Sequence, residues 1–85
     1  MTKTEREKIY SLLSADSTRW YTASFEGHPI AYDVARRREH LNRHNCVYEM
    51  LVAERDTEAR IEVCSLLEET DRLLVSCHGV QEAKP

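Results

Sequence analysis

The fold is decided by residues 30–77, which read IAYDVARRREHLNRHNCVYEMLVAERDTEARIEVCSLLEETDRLLVSC. Two sets of mostly apolar residues recur in this stretch at alternating steps of three and four. The first set is Ile30, Val34, Leu41, His44, Tyr48 and Leu51, with Arg37 in the remaining slot, and the second is Ala59, Val63, Leu66, Leu67, Leu73, Leu74 and Cys77, with Thr70 in the gap. This spacing places each set along one side of a helix. We therefore predict an antiparallel helical hairpin, about residues 30–55 and 58–78, in which Asp56 caps the second helix.

A further helix is predicted before the hairpin. Thr2 and Thr4 are each followed three residues later by a glutamate, which is a capping-box pattern, and apolar residues follow at 9–13. We expect a helix over about residues 4–15, packed across the hairpin, and a polar break at residues 14–17. The predicted fold class is mostly α.

Residues 19–32 allow two interpretations. The aromatic residues of 20–25 favour a strand, and 26–29 is turn chemistry, so this segment could form a β-hairpin in an α+β fold. Alternatively, Ser17 caps a short helix, Gly27 ends it in the left-handed conformation, and Pro29 opens the next helix. We favour the helical interpretation because an isolated two-stranded hairpin is only marginally stable.

The chain is short and poor in turn residues, which limits its organisation. It has 85 residues with two glycines and two prolines, so we expect one small helical domain over 1–79 and a flexible tail at 80–85. A domain of this size buries only roughly 60% of its unfolded surface. Small domains often gain further burial by association, so the length is compatible with a homodimer or with docking on a larger partner.

Cysteine usage and hydropathy indicate the compartment. Cys46, Cys64 and Cys77 are odd in number and widely spaced, which is not a disulfide framework. Each lies on or beside an apolar stripe, so we expect small core residues in a reducing compartment. The sequence has neither a signal-type N-terminus nor an apolar run near 20 residues, which predicts a cytoplasmic protein without a membrane partner.

Charge is distributed unevenly along the chain. The formal net charge is −3, but residues 33–44 hold four arginines against two acids, a balance of +2. Residues 49–72 hold eight acids against three arginines, a balance of −5. A nucleic-acid surface on the first hairpin helix would use Arg36, Arg37, Arg38, His40 and Arg43, because arginine binds phosphates and guanine. The simpler interpretation is that these arginines pair with glutamates of the acidic second helix.

A metal site, a cofactor and an enzyme activity are not predicted. His40 and His44 are four residues apart and could share an ion, but the chain has no CxxC pair, and Cys46 projects away from their face of a continuous helix. No nucleophile motif is present, and a helical hairpin of this size leaves little room for the pocket of a small-molecule substrate.

Four of the six aromatic residues fall within residues 20–32, shortly before three consecutive arginines at 36–38. We predict a non-enzymatic protein-binding module, an adaptor or inhibitor, because Trp, Tyr and Arg dominate binding hot spots. In its size, charge and helical character the chain is similar to small proteins of phages and mobile elements that bind larger host machines. The alternative is a small dimeric nucleic-acid-binding regulator. The predicted partner-binding residues are Trp20, Tyr21, Phe25, Arg36, Arg37 and Arg38.

Overall fold

The computed structural model describes residues 2–75, and within this range it contains helices and no strand. The elements are α1 (Lys3–Phe25), α2 (Pro29–Tyr32), α3 (Val34–Val52), α4 (Asp56–Thr70) and a π-helical turn (Asp71–Val75). The predicted mostly α fold is confirmed, and α3 and α4 form the hairpin with α1 packed against both. The predicted end of the last helix near residues 77–78 and the tail at 80–85 lie outside the described residues.

Helix α1 is longer than the sequence predicted. Its N-terminus has the expected cap, since Thr2 Oγ1 accepts a hydrogen bond from the backbone N–H of Glu5 at 3.2 Å. The predicted polar break at residues 14–17 is wrong, because the helix runs through it to Phe25. Asp16 and Ser17 face α3 and find hydrogen-bond partners there. Tertiary contacts thus override their weak helix propensity.

Residues 19–25 and 29–32 are helical, as the favoured interpretation predicted, and the β-hairpin alternative is wrong. The predicted Ser17 cap is also wrong, because Ser17 lies inside α1. Gly27 follows α1 with a φ of 78°, a left-handed conformation that glycine adopts without a steric penalty. Pro29 opens the single turn of α2. Asp33 then caps α3, accepting a hydrogen bond from the backbone N–H of Arg36 at 3.1 Å.

The hairpin turn differs in detail from the prediction. Helix α3 ends at Val52, Glu54 has a φ of 60°, and α4 begins at Asp56. Asp56 therefore lies inside the first turn and does not cap the helix; Arg55 occupies the cap position. The carboxylate of Asp56 accepts a hydrogen bond from Arg6 of α1 at 3.1 Å, and acids in a first turn also suit the helix dipole.

Two apolar clusters lie at different levels of the bundle. The larger cluster contains Ile9, Leu13, Val47, Leu51, Ala59, Val63 and Leu66, and the smaller one contains Trp20, Ala31 and Leu74. Each fully buried leucine contributes roughly 1.5–3 kcal/mol. Along all three long helical segments, buried polar residues occupy the positions between the two clusters, namely Asp16, His40, His44 and Thr70.

Some stripe residues are not in the core. Val34 is 54% exposed because it begins α3 at one end of the bundle. Cys46 and Cys64 are exposed free thiols, so the prediction that they are core residues is wrong; Cys77 lies outside the described residues. No helix within residues 2–75 has the length and apolar character needed to cross a bilayer.

Candidate functional site

Three large aromatic side chains lie exposed where α1 ends and α2 follows. Tyr21, Phe25 and Tyr32 are 64%, 79% and 69% exposed. The rings of Tyr21 and Phe25 meet edge to face with centroids 5.1 Å apart. Exposed aromatic residues are common at protein interfaces because their rigid rings bury a large area at low entropic cost.

Arg37 of α3 connects α1 and α2 through hydrogen bonds beside these aromatic residues. Its Nη1 donates hydrogen bonds to Ser24 Oγ on α1 and to the carbonyl of Ala31 on α2, both at 2.8 Å. Ser24, Arg37 and the three aromatic residues line an open groove. One guanidinium from α3 therefore fixes α1 and α2 relative to each other, which sets the spacing of the aromatic rings.

Arg36 and Arg38 flank Arg37 on α3, each about 100° from it around the helix axis. Both are exposed and form no ion pair with any residue in the described part of the chain. The structure brings Tyr21, Phe25, Tyr32 and Arg37 together at the groove, whereas Arg36 and Arg38 project to either side of it. We call these six residues the aromatic–arginine surface. Trp20, also predicted as a contact residue, is 1% exposed and belongs to the core.

The residues of the alternative nucleic-acid surface are mostly engaged in intramolecular contacts. Arg43 donates to Glu62 Oε1 at 2.7 Å and also pairs with Glu69, which confirms for this residue the predicted pairing with the acidic helix. His40 is 2% exposed and lies inside the bundle. Of the five residues, the structure leaves Arg36 and Arg38 free to contact a phosphate backbone.

A second candidate site is a buried polar network between the two apolar clusters. Asp16 Oδ2 lies 2.7 Å from His40 Nε2 and 2.7 Å from His44 Nε2. Thr70 Oγ1 donates to Asp16 Oδ1 at 2.5 Å and accepts a hydrogen bond from Trp20 Nε1 at 2.9 Å. Three helices thus converge on one carboxylate that is 1% exposed.

The network keeps Asp16 ionised. Burial by itself raises the pKa of Asp16, but hydrogen bonds from His40, His44 and Thr70, together with the charge on His40, hold that pKa well below its usual value. An ionised carboxylate only accepts hydrogen bonds, so both imidazoles carry a proton on Nε2. The Trp20 ring stacks on His40 with centroids 4.3 Å apart.

Sequence reasoning did not identify Asp16 or Thr70 as members of a site. The available signal was that polar residues fill slots of otherwise apolar stripes, as Arg37, His44 and Thr70 do. Asp16 carried no such signal because residues 14–17 looked like a helix break.

No protein-family model matches the chain, and no significant match was found among curated proteins or solved structures.

Proposed function

We propose that the protein is a non-enzymatic binding module of the cytoplasm, an adaptor or inhibitor, whose aromatic–arginine surface docks on a larger protein. The observation that carries the proposal is the exposure of Tyr21, Phe25 and Tyr32 on a region braced by Arg37. Such bracing matters because a preorganised surface loses little conformational entropy on binding.

Charge indicates the chemistry of the partner. Arg36 and Arg38 are unpaired within the described residues and lie beside Arg37, so three guanidinium groups surround this end of α3. The complementary surface is an apolar groove for the aromatic rings with aspartate or glutamate at its rim. Apolar contacts would supply most of the affinity, and rim charges would accelerate association.

The exposed thiols fit a reducing compartment. Cys46 and Cys64 are both accessible, and neither is in a disulfide. In an oxidising compartment such thiols would form mixed disulfides or cross-link copies of the chain.

The test compares two variants in which exposed apolar side chains are replaced by serine. The first, Tyr21→Ser/Phe25→Ser/Tyr32→Ser, removes the exposed rings; the control, Val52→Ser/Ile61→Ser, removes apolar side chains that are 81% and 65% exposed elsewhere. The chain and both variants serve as baits in cells of the source organism, with mass-spectrometric identification. The captured protein is then titrated with each bait.

We expect the ring variant to lose at least about 100-fold in affinity, since two hot-spot residues together contribute roughly 3 kcal/mol or more. The control should bind like the parent chain. Equal losses in both variants would contradict the proposal. The proposal is also contradicted if the exposed rings mediate only self-association of the chain, as measured by light scattering. It is contradicted as well if the chain binds duplex DNA with a salt-sensitive affinity that depends on Arg36 and Arg38.

A further inference from the structure

Three side chains from two helices point potential metal-binding atoms at one place inside the bundle. His40 and His44 lie four residues apart on α3, so both imidazoles project from the same face. Their Nε2 atoms and an oxygen of Asp16 on α1 all lie within 4.8 Å of one another. Two imidazoles and a carboxylate are a ligand set that Zn²⁺ and Fe²⁺ sites use.

The polar atoms of these side chains that would not bind the metal face groups able to form hydrogen bonds with them. Asp16 Oδ1, the oxygen not shared by the histidines, is held by the Thr70 hydroxyl at 2.5 Å. His44 Nδ1 lies 3.3 Å from Ser17 Oγ, and His40 Nδ1 lies 3.9 Å from Glu69 Oε1. Metal-binding histidines characteristically direct their second nitrogen at a hydroxyl, carbonyl or carboxylate in this way.

Among residues 2–75, one buried side-chain atom has no hydrogen-bond partner. His40 uses Nε2–H to donate to Asp16, which leaves its Nδ1 without a hydrogen bond although the residue is 2% exposed. Buried polar atoms without a partner are rare in folded proteins. If Nε2 bound a cation, the imidazole proton would reside on Nδ1 and point toward the Glu69 carboxylate.

We propose that Asp16, His40 and His44 bind one divalent transition-metal ion, with Zn²⁺ as the reference ion, between the two apolar clusters. Binding at Nε2 moves the proton of each imidazole from Nε2 to Nδ1, where it faces Glu69 on His40 and Ser17 on His44. Metal–ligand bonds of about 2.0–2.1 Å separate tetrahedral ligand atoms by roughly 3.3 Å, so each 2.7 Å contact opens by about 0.6 Å. The fourth position lies near Thr70 Oγ1, which is 3.2 Å from His40 Nε2. This proposal is independent of the aromatic–arginine surface.

A metal ion at this site would cross-link α1 to α3. Because its ligands are assembled only in the folded chain, metal binding adds directly to the stability of the fold. A metal cross-link between the helices would add stability that the small apolar core of an 85-residue domain does not supply.

The first experiment measures binding by the purified full chain after removal of metal with a chelator. Zn²⁺ and Co²⁺ are titrated separately, with Mg²⁺ as the ion that this ligand set should not favour. We expect one Zn²⁺ per chain, a higher melting temperature with Zn²⁺ but not with Mg²⁺, and quenching of Trp20 by Co²⁺ because Trp20 stacks on His40. Co²⁺ should produce visible d–d absorption without a thiolate charge-transfer band.

Substitutions then locate the ion. Asp16→Asn and His44→Gln should abolish stoichiometric binding, while Cys46→Ser/Cys64→Ser/Cys77→Ser should leave it unchanged. A matched pair keeps the test decisive if the ligand variants fail to fold. Glu62 and Glu69 both pair with Arg43, but of these two only Glu69 is recorded facing His40 Nδ1.

We expect Glu69→Ala to weaken Zn²⁺ binding about tenfold, as substitutions of outer partners do, and Glu62→Ala to change it less than about twofold. The proposal is overturned if the parent chain binds neither Zn²⁺ nor Co²⁺, if binding disappears in the cysteine variant, or if the two glutamate variants lose affinity equally.

Discussion

Replacing Thr70 with valine tests whether the buried network stabilises the fold. Valine has nearly the shape of threonine, so Thr70→Val leaves the packing intact and replaces only the hydroxyl, by a methyl group. The two shortest hydrogen bonds of the hydroxyl disappear: the one that it donates to Asp16 Oδ1 at 2.5 Å and the one that it accepts from Trp20 Nε1 at 2.9 Å. Both remaining groups are almost fully buried, so water cannot replace the hydroxyl without opening the bundle.

The magnitude follows from those two losses. A buried N–H without an acceptor costs about 1–3 kcal/mol, and a hydrogen bond to a charged group contributes about 1.5–3 kcal/mol. Allowing for relaxation around Thr70, we expect Thr70→Val to lower the free energy of unfolding by about 3 kcal/mol. A domain of this length has a total of about 4–13 kcal/mol, so the loss is a large share of it.

The assay is urea unfolding of metal-free protein, followed by the fluorescence of Trp20, the single tryptophan of the chain. With a urea m-value of about 1.5 kcal/mol/M, the midpoint should fall by about 2 M. The control is Thr57→Val, which makes the same change at an exposed position of α4. A loss below about 0.5 kcal/mol, or one equal to that of the control, would refute the reasoning.

Three further predictions concern acid, the core and the turn. The pKa of Asp16 is lower in the folded chain than its ordinary value of 3.8, so below about pH 4 the unfolded chain takes up a proton that the folded chain does not. Stability should therefore fall as pH decreases through this range, and Asp16→Asn should flatten that dependence in urea titrations; an unchanged slope would contradict it. Leu13→Ala should cost about 2–5 kcal/mol because Leu13 is fully buried, whereas Val52→Ala, at a site 81% exposed, should cost less than about 0.5 kcal/mol by the same assay. Gly27→Ala should raise no clash, since nothing lies within 4 Å of the new Cβ, but should lower the melting temperature through a strain of about 1 kcal/mol at a φ of 78°; no shift would mean that the left-handed conformation is not required.

Local signals in the sequence predicted the helices well where capping and periodicity agreed. The threonine cap, the left-handed glycine after α1 and Pro29 in the first turn of α2 all occur as predicted. These features depend on backbone geometry within a few residues, and the side chains that produce them are adjacent in the chain. For that reason they are legible without knowledge of the tertiary fold.

The polar network could not be predicted from the sequence in the same way. Residues 14–17 predicted a break because aspartate and serine are weak helix formers when exposed. In the fold, Asp16 accepts hydrogen bonds from residues 24, 28 and 54 positions away in the chain. Those contacts exist only after three helices have packed, and they reverse the local preference.

What the sequence predicts and what only the structure shows thus differ in how far apart the interacting residues lie in the chain. The sequence determined which segments form helices and which faces of those helices are apolar, because both depend on the identities of residues one or two turns apart. Tertiary packing decided that Trp20 is buried while Tyr21 and Phe25 are exposed, and that Asp16, His40, His44 and Thr70 meet. Burial and long-range hydrogen bonds depend on which helix faces which, and periodicity within a single helix does not encode that choice.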